Sequence, residues 1–158
     1  MKKLSSSVDQ TLRLGKKIAD NLKGGEIILL SGSLGAGKTV LAKGIAQGLG
    51  INKNDVLSPT FVLLRVYQGK HLLQHFDFYR LKTPEDIVDL GYQEYLQADA
   101  ITLIEWPQRL KFLLPKEFLK IKLFIKAKNQ RYFKFTAKGS RYKKLIEKIN
   151  ESRNFDGI

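Results

Sequence analysis

The chain has 158 residues, of which 43% are apolar and 10% aromatic, with no cysteine and a net charge of +13. That length supports one compact domain (residues 1–158) rather than two, and the lack of cysteine excludes disulfides and thiolate metal sites. No apolar stretch approaches the roughly 20 residues that span a bilayer; Asp9, Gln10 and Arg13 interrupt the lysine-led amino terminus before a signal-peptide core forms, so the expected location is the cytoplasm.

Residues 5–22 have the periodicity of an amphipathic helix, with a serine available as cap and Leu12, Leu14, Ile18, Ala19 and Leu22 offered to a core. EIILLS, 26–31, is a short apolar run suited to a strand buried on both faces. A glycine-rich loop follows, and TVLAKGIAQGL continues as a helix that ends near Gly48 to Gly50. FVLLRVY and HLLQHFDFY are strand-like runs separated by QGK, which predicts an antiparallel hairpin and argues against a purely parallel sheet. PEDIVDLGYQEYLQ, 84–97, opens with proline and acids in the first helical turn, and Gly91 is placed to break it in two. ITLIE, 101–105, is a second buried-strand candidate, stopped by Trp106 and Pro107. Strand-like runs at 118–126 and 131–137 flank KNQ, and residues 140–152 close the chain with a helical pattern.

The charge is unevenly spread. Residues 109–158 hold 15 Lys or Arg against 4 acids, leaving the first 108 near neutral. In FLKIKLFIK, lysines alternate with apolar residues as on a strand with one wet face. Lysine outnumbers arginine 21 to 7, and arginine's fork is the better device for specific phosphate or base recognition; the preferred expectation is a solvated face, with a protein or RNA partner surface as the other.

Gly32, Ser33, Leu34, Gly35, Ala36, Gly37, Lys38 and Thr39 fit G-x-x-x-x-G-K-[ST], with a strand before and a helix after. Glycines let successive N–H groups turn inward around a polyphosphate, and the helix adds unpaired amides and its positive dipole end. Lys38 is expected to reach the β- and γ-phosphates and Thr39 to offer its hydroxyl to Mg2+. Hydrolysis also needs an acid, and two strand ends supply one. Glu105 ends an unbroken apolar run, as on a central parallel strand; Asp77 ends a run expected to be less uniformly buried. Either can sit on the metal while the other orders water or a switch segment, and the competing expectation for each is a structural carboxylate paired with a base such as Arg80. Pro59 holds Ser58 extended and leaves Thr60 on a loop able to approach a γ-phosphate. His71 and His75 have no third ligand in view and are expected to pack in the hairpin, with Trp106 in the core or a pocket wall.

The ordered set GSLGAGKT, SPTF, HFDFYRL, DLGYQEYL and LIEWPQ, spanning about residues 8–137, closely resembles the TsaE (YjeE) family. These are small bacterial ATPases of tRNA threonylcarbamoyladenosine synthesis. The resemblance implies a P-loop α/β fold with a mixed, mostly parallel central sheet, an antiparallel hairpin and flanking helices. It implies ATP or ADP and Mg2+ at Gly35, Ala36, Gly37, Lys38, Thr39 and Val40, with Glu105 at the metal beside Thr39 and with Asp77 and Thr60 in switch-like roles. It also implies that Thr11 and Arg131 approach the nucleotide from outside the loop, and that Lys38, Asp77 and Glu105 carry the catalysis. The implied partners are TsaB and TsaD, whose assembly the ATPase resets or regulates, while TsaC supplies the threonylcarbamoyl-adenylate; tRNA is met indirectly and the chain alone is a monomer. The loop departs from the family at Ser33, usually Asp, and at Val40, usually Thr, so weaker nucleotide binding and slow turnover are expected. A small-molecule P-loop kinase and a lysine-based tRNA-binding module are the alternatives.

Overall fold

A computed structural model describes residues 1–96 and 99–151. In chain order the elements are β1 (Lys2–Ser5), α1 (Val8–Ala19), β2 (Ile27–Ser31), α2 (Lys38–Gly48), β3 (Leu64–Gln68), β4 (Leu72–Asp77), α3 (Pro84–Asp89), α4 (Tyr92–Tyr95), β5 (Ile101–Glu105), β6 (Phe118–Ala127), β7 (Gln130–Lys138) and α5 (Ser140–Glu151). Two single 3-10 turns, Pro107–Arg109 and Lys111–Leu113, join β5 to β6. The strands form one sheet in the order β1-β7-β6-β2-β5-β4-β3. Strands β6, β2, β5 and β4 are mutually parallel, and the β3–β4, β6–β7 and β1–β7 pairs are antiparallel. This is the expected mixed α/β architecture with its antiparallel hairpin.

Local chemistry accounts for most boundaries. Ser7 caps α1 by accepting from the Gln10 amide, Asp9 sits in the first turn, and Lys16 and Lys17 occupy the last, complementing the helix dipole. The helix starts three residues later than its periodicity suggests. Residues 2–5 are instead taken by β1, whose pairing with β7 from Lys2↔Lys134 to Ser5↔Arg131 has no local sequence signature. Similarly β3 begins at Leu64, because residues 61–63 turn, with Leu63 at φ 67°. The 84–97 segment divides where expected: Gly91 adopts φ 73° between α3 and α4. A capping box formed by Thr83 and Asp86 starts α3. The expected ends of two helices, at residues 97 and 152, lie outside the described residues.

Helices α1, α2 and α5 cover one face of the sheet, around Leu14, Ile18, Leu41, Ile45, Leu103, Ile121, Phe133 and Leu145. The other face carries a smaller cluster of Phe76, Phe78, Ile87, Tyr92, Ile104 and Leu110. There Tyr92 meets Phe76 and Phe78 edge-on at 5.8 and 5.6 Å, the favoured geometry for aromatic pairs. Strand β5 is buried at every position, and β4 is buried from Leu73 to Asp77. Asp77 thus ends a strand buried slightly less uniformly than β5, as expected, since Leu72 is half-buried, while Asp77 itself is buried. Among the described residues no helix is long and apolar enough to cross a membrane.

Helices α1 and α2 approach so closely that a Cβ on Gly15 would lie 2.6 Å from the Leu41 carbonyl oxygen, against backbone that cannot swing aside. Gly15→Ala is expected to lower the unfolding free energy by about 1–3 kcal/mol, read from the urea midpoint by circular dichroism. An unchanged midpoint would mean that α1 can lift away from α2 without loss.

Candidate nucleotide-binding site

The loop leaves β2 and crosses the carboxyl edge of the sheet. Gly32 lies so close to β6 that a Cβ there would be 2.7 Å from the Leu123 carbonyl oxygen. Gly35 and Gly37 differ in kind: both have positive φ, 73° and 99°, and a Cβ on either would meet nothing within 4 Å. Their backbone turns into open space, as a phosphate cradle requires. Helix α2 starts at Lys38 with Gly37 as its cap and no side-chain cap, so its first amides and dipole face the same hollow.

Lys38 is largely buried; its Nζ donates to the carbonyl oxygens of Gly32 and Ser33 at 2.9 and 3.0 Å and lies 4.4 Å from the centroid of the Trp106 ring. Burial pushes its ammonium below the ordinary lysine range, while the carboxylates of Glu105 and Asp77 oppose that shift. Trp106 follows Glu105 in a left-handed conformation, φ 58° and ψ 48°, and its ring packs on Tyr79 at 4.9 Å. It is a pocket wall.

The two acids end adjacent parallel strands at one register position, Asp77↔Glu105, so they stand side by side about one strand spacing, ~4.8 Å, apart. Each has its own partners. Thr60 Oγ1 donates to Asp77 Oδ2 at 2.6 Å and the Tyr79 amide to Oδ1 at 2.8 Å. Arg80 does not pair with Asp77; its guanidinium lies 5.2 Å from the Phe61 ring centroid. Glu105 Oε1 lies 2.9 Å from Nε2 of the fully buried His75. His75 Nδ1 has no hydrogen-bond partner among the described residues. His75 therefore holds the site acid, a role missed when it is read from sequence as hairpin packing. The signal was its place two residues before Asp77, on the same face of β4.

Two cavities flank the loop and share Gly35, Gly37 and Val40. One, of about 350 Å³, is lined by Lys38, Thr39, Thr60, Asp77, Tyr79, Glu105 and Trp106. The other, of about 390 Å³, is lined by Thr11, Arg131, Ser6, Ser7, Lys128 and Asn129. Thr11 is held by a 2.9 Å bond between its Oγ1 and Ser5 Oγ. Arg131 Nη1 donates to the carbonyl oxygens of Ala127, Lys128 and Gln130, and its Nη2 reaches the Gly35 carbonyl oxygen at 3.4 Å. Ala36 alone of the singled-out residues faces neither cavity; it is fully buried and its amide donates to the Ser33 carbonyl oxygen. Sequence reasoning also missed Ser6, Ser7, Lys128 and Asn129, which only the β1–β7 pairing brings beside the loop.

Among the described residues no three His, Asp or Glu side chains gather as a metal cage. The hard oxygens of Thr39, Glu105 and Asp77 around one cavity suit Mg2+, which keeps waters and relies on few carboxylates plus phosphate oxygens. A parallel-stranded core with a glycine loop and an uncapped helix at its carboxyl edge places the chain in the P-loop nucleoside triphosphatase fold class.

Comparison with known proteins narrows this. The family described as threonylcarbamoyl adenosine biosynthesis protein TsaE matches residues 5–133. The tRNA threonylcarbamoyladenosine biosynthesis protein TsaE of Treponema pallidum is 40% identical over 131 residues, 83% of this chain and 96% of that protein. Its namesake in Bacillus subtilis is 37% identical over 147 residues, 92% and 91% of the two chains. The crystal structure of Bacillus subtilis YdiB superposes with a TM-score of 0.83 at 33% identity, covering 95% of this chain and 93% of that one. The chain belongs to the TsaE family.

Truncating His75 leaves Glu105 buried without its partner and opens a void. His75→Ala is expected to cost about 3 kcal/mol or more of stability, measured by guanidinium denaturation. A loss below about 1 kcal/mol would show that water or a rotated Glu105 replaces the imidazole.

Proposed function

We propose that this chain is the Mg2+-dependent ATPase subunit of tRNA threonylcarbamoyladenosine biosynthesis, acting as one unit over residues 1–158 and regulating or resetting the TsaB–TsaD assembly without transferring the carbamoyl group itself. The observation that carries it is the convergence of Lys38, Thr39, Asp77 and Glu105 on the single cavity beside the open turns at Gly35 and Gly37. The triphosphate would lie along the loop amides and the α2 amino terminus, with Lys38 leaving the carbonyls of Gly32 and Ser33 for the β- and γ-phosphates. Adenosine would extend into the neighbouring cavity between Thr11, Val40 and Arg131. Thr39 and Glu105 would hold Mg2+, which when bound neutralises charge on the transferred phosphoryl group.

Asp77 is assigned the switch. Its Oδ2 accepts from Thr60 and its Oδ1 from the Tyr79 amide, so one oxygen of the carboxylate is tied to the 58–63 loop and its orientation follows that loop. A protein that moves this loop would release it, which gives the isolated chain slow turnover and a partner-dependent rate. Val40 adds no hydroxyl at the point where both cavities meet, and Ser33 adds no acid, so affinity rests on backbone donors and Lys38.

Glu105→Ala is expected to abolish the Mg2+ dependence of nucleotide affinity. Asp77→Ala is expected to keep that affinity and lose the turnover stimulated by the TsaB–TsaD pair, by about tenfold. Titration of a fluorescent ATP analogue with and without Mg2+, beside steady-state phosphate release, separates the two. Equal loss of binding in both variants would remove the division of roles. In the wild type, adding the TsaB–TsaD pair is expected to raise phosphate release by at least about tenfold, on the order of 1.4 kcal/mol in the barrier; binding without stimulation would sink the proposed coupling.

A further inference from the structure

The half of the sheet farthest from the aromatic cluster carries helices on one face only. Phe133, Phe135, Tyr142, Leu145 and Ile149 fill the covered side of β6 and β7, while on the opposite face Phe118 at the start of β6 is buried in the aromatic cluster and the positions from Lys122 to Phe124, with their partners on β7 and β1, are mostly exposed. The register lays out what it presents. Lys2 pairs with Lys134 and Lys134 with Lys122, so three lysines stand in one row across three strands. In the next row Leu4 pairs with Tyr132 and Tyr132 with Phe124. On the other side Thr136 pairs with Lys120, and beyond it Lys138 with Phe118. No acid occupies any of these positions. Lys2, Lys120, Lys122, Lys134 and Lys138 are all exposed.

Like charges directly opposite on neighbouring strands destabilise a sheet, and a merely soluble face would alternate signs. A three-lysine row is tolerated at a cost that an anion lying across the strands would remove. The adjacent rings indicate which anion. Phe124 is 38% exposed, its centroid is 6.1 Å from that of Tyr132, and Lys122 and Lys2 lie over the two rings at 5.0 and 6.0 Å. A flat strand surface with partly exposed aromatics beside a line of cations suits unstacked bases on the rings and phosphates on the lysines. An acidic protein segment has no use for ring faces in that register. Lysine in place of arginine fits point-charge contact to a backbone without base reading.

We infer that the open face of β1, β7 and β6 binds the backbone of an RNA strand, across the row Lys2, Lys134 and Lys122 with bases against Tyr132 and Phe124. This goes beyond the proposed ATPase role and replaces the expectation that the chain meets RNA only indirectly. None of these residues lines the nucleotide cavities.

The test is fluorescence anisotropy of a short labelled single-stranded RNA with the full chain over a salt series, for the wild type and the Lys122→Gln/Lys134→Gln double variant. The wild type is expected to show a log–log slope of about −2 or steeper, given ~0.7 per phosphate contact on single strands, and the double variant a slope shallower by about 1.4. At low salt the double variant should bind about tenfold more weakly, while Lys134→Arg keeps the slope. Its thermal midpoint should not fall, since the substitutions remove like-charge neighbours, and its ATPase rate should be unchanged. A double variant with the wild-type slope, or poly-glutamate bound as tightly as RNA at the same salt, would overturn the assignment. Phe124→Ala should weaken RNA and leave poly-glutamate unaffected; equal effects on both would also count against it.

Discussion

The pairing of β4, β5 and β2 in parallel is the constraint on which the rest of the structure depends. Because β5 lies between two parallel neighbours, its carboxyl end, the end of β4 and the start of the glycine loop all reach one edge of the sheet. Asp77 and Glu105 are then forced side by side at a nearly dry position, where two carboxylates repel and neither is well solvated. The fold resolves this with separate partners: His75 for Glu105, Thr60 and the Tyr79 amide for Asp77, and the Lys38 ammonium as the shared counter-charge. The Lys38 ammonium, hydrogen-bonded to carbonyl oxygens of its own loop and set against the Trp106 ring, is poised to trade those carbonyls for phosphate oxygens.

The antiparallel additions to this core do different work at the two ends. At one end β3 pairs with β4 and buries it, which keeps His75 and Asp77 away from bulk water. At the other, β7 and β1 extend the sheet past β6, and their pairing brings Thr11, Arg131 and the 5–8 segment to the far side of the loop. The loop is therefore approached from two sides by elements remote in sequence, and Gly35, Gly37 and Val40 belong to both cavities. That same extension leaves one sheet face without helices, and the lysine excess of the carboxyl third collects there and on α5. Another basic residue of α5 is structural: Arg141 pairs with the buried Glu26 and donates to the Gly24 carbonyl oxygen.

Much of the fold was legible because its signals are local. ITLIE and EIILLS are too short and too uniformly apolar for anything but strands buried on both faces, Gly91 divides a helix where a left-handed residue was needed, and GSLGAGKT announces its own geometry. The misses share one cause. Strand β1 exists because of its pairing with the distant β7, and KKLS has no alternation to reveal that role. His75 looked like packing because its function lies in a carboxylate 30 residues away.

The sequence by itself determined the nucleotide loop, the strand–loop–helix order, the two candidate acids and, through the pairing of HFDFYR with LIEWPQ, the family. Each rests on short contiguous stretches whose chemistry is set by residues within a few positions of one another. Only the tertiary structure decided that Asp77 and Glu105 share a register position, that His75 and Thr60 hold them apart, and that Arg131 reaches the loop. It also decided that Lys2, Lys122 and Lys134 form one row. Those facts are products of strand order and register, which are fixed by the burial of the whole sheet, and no local stretch of the chain encodes them.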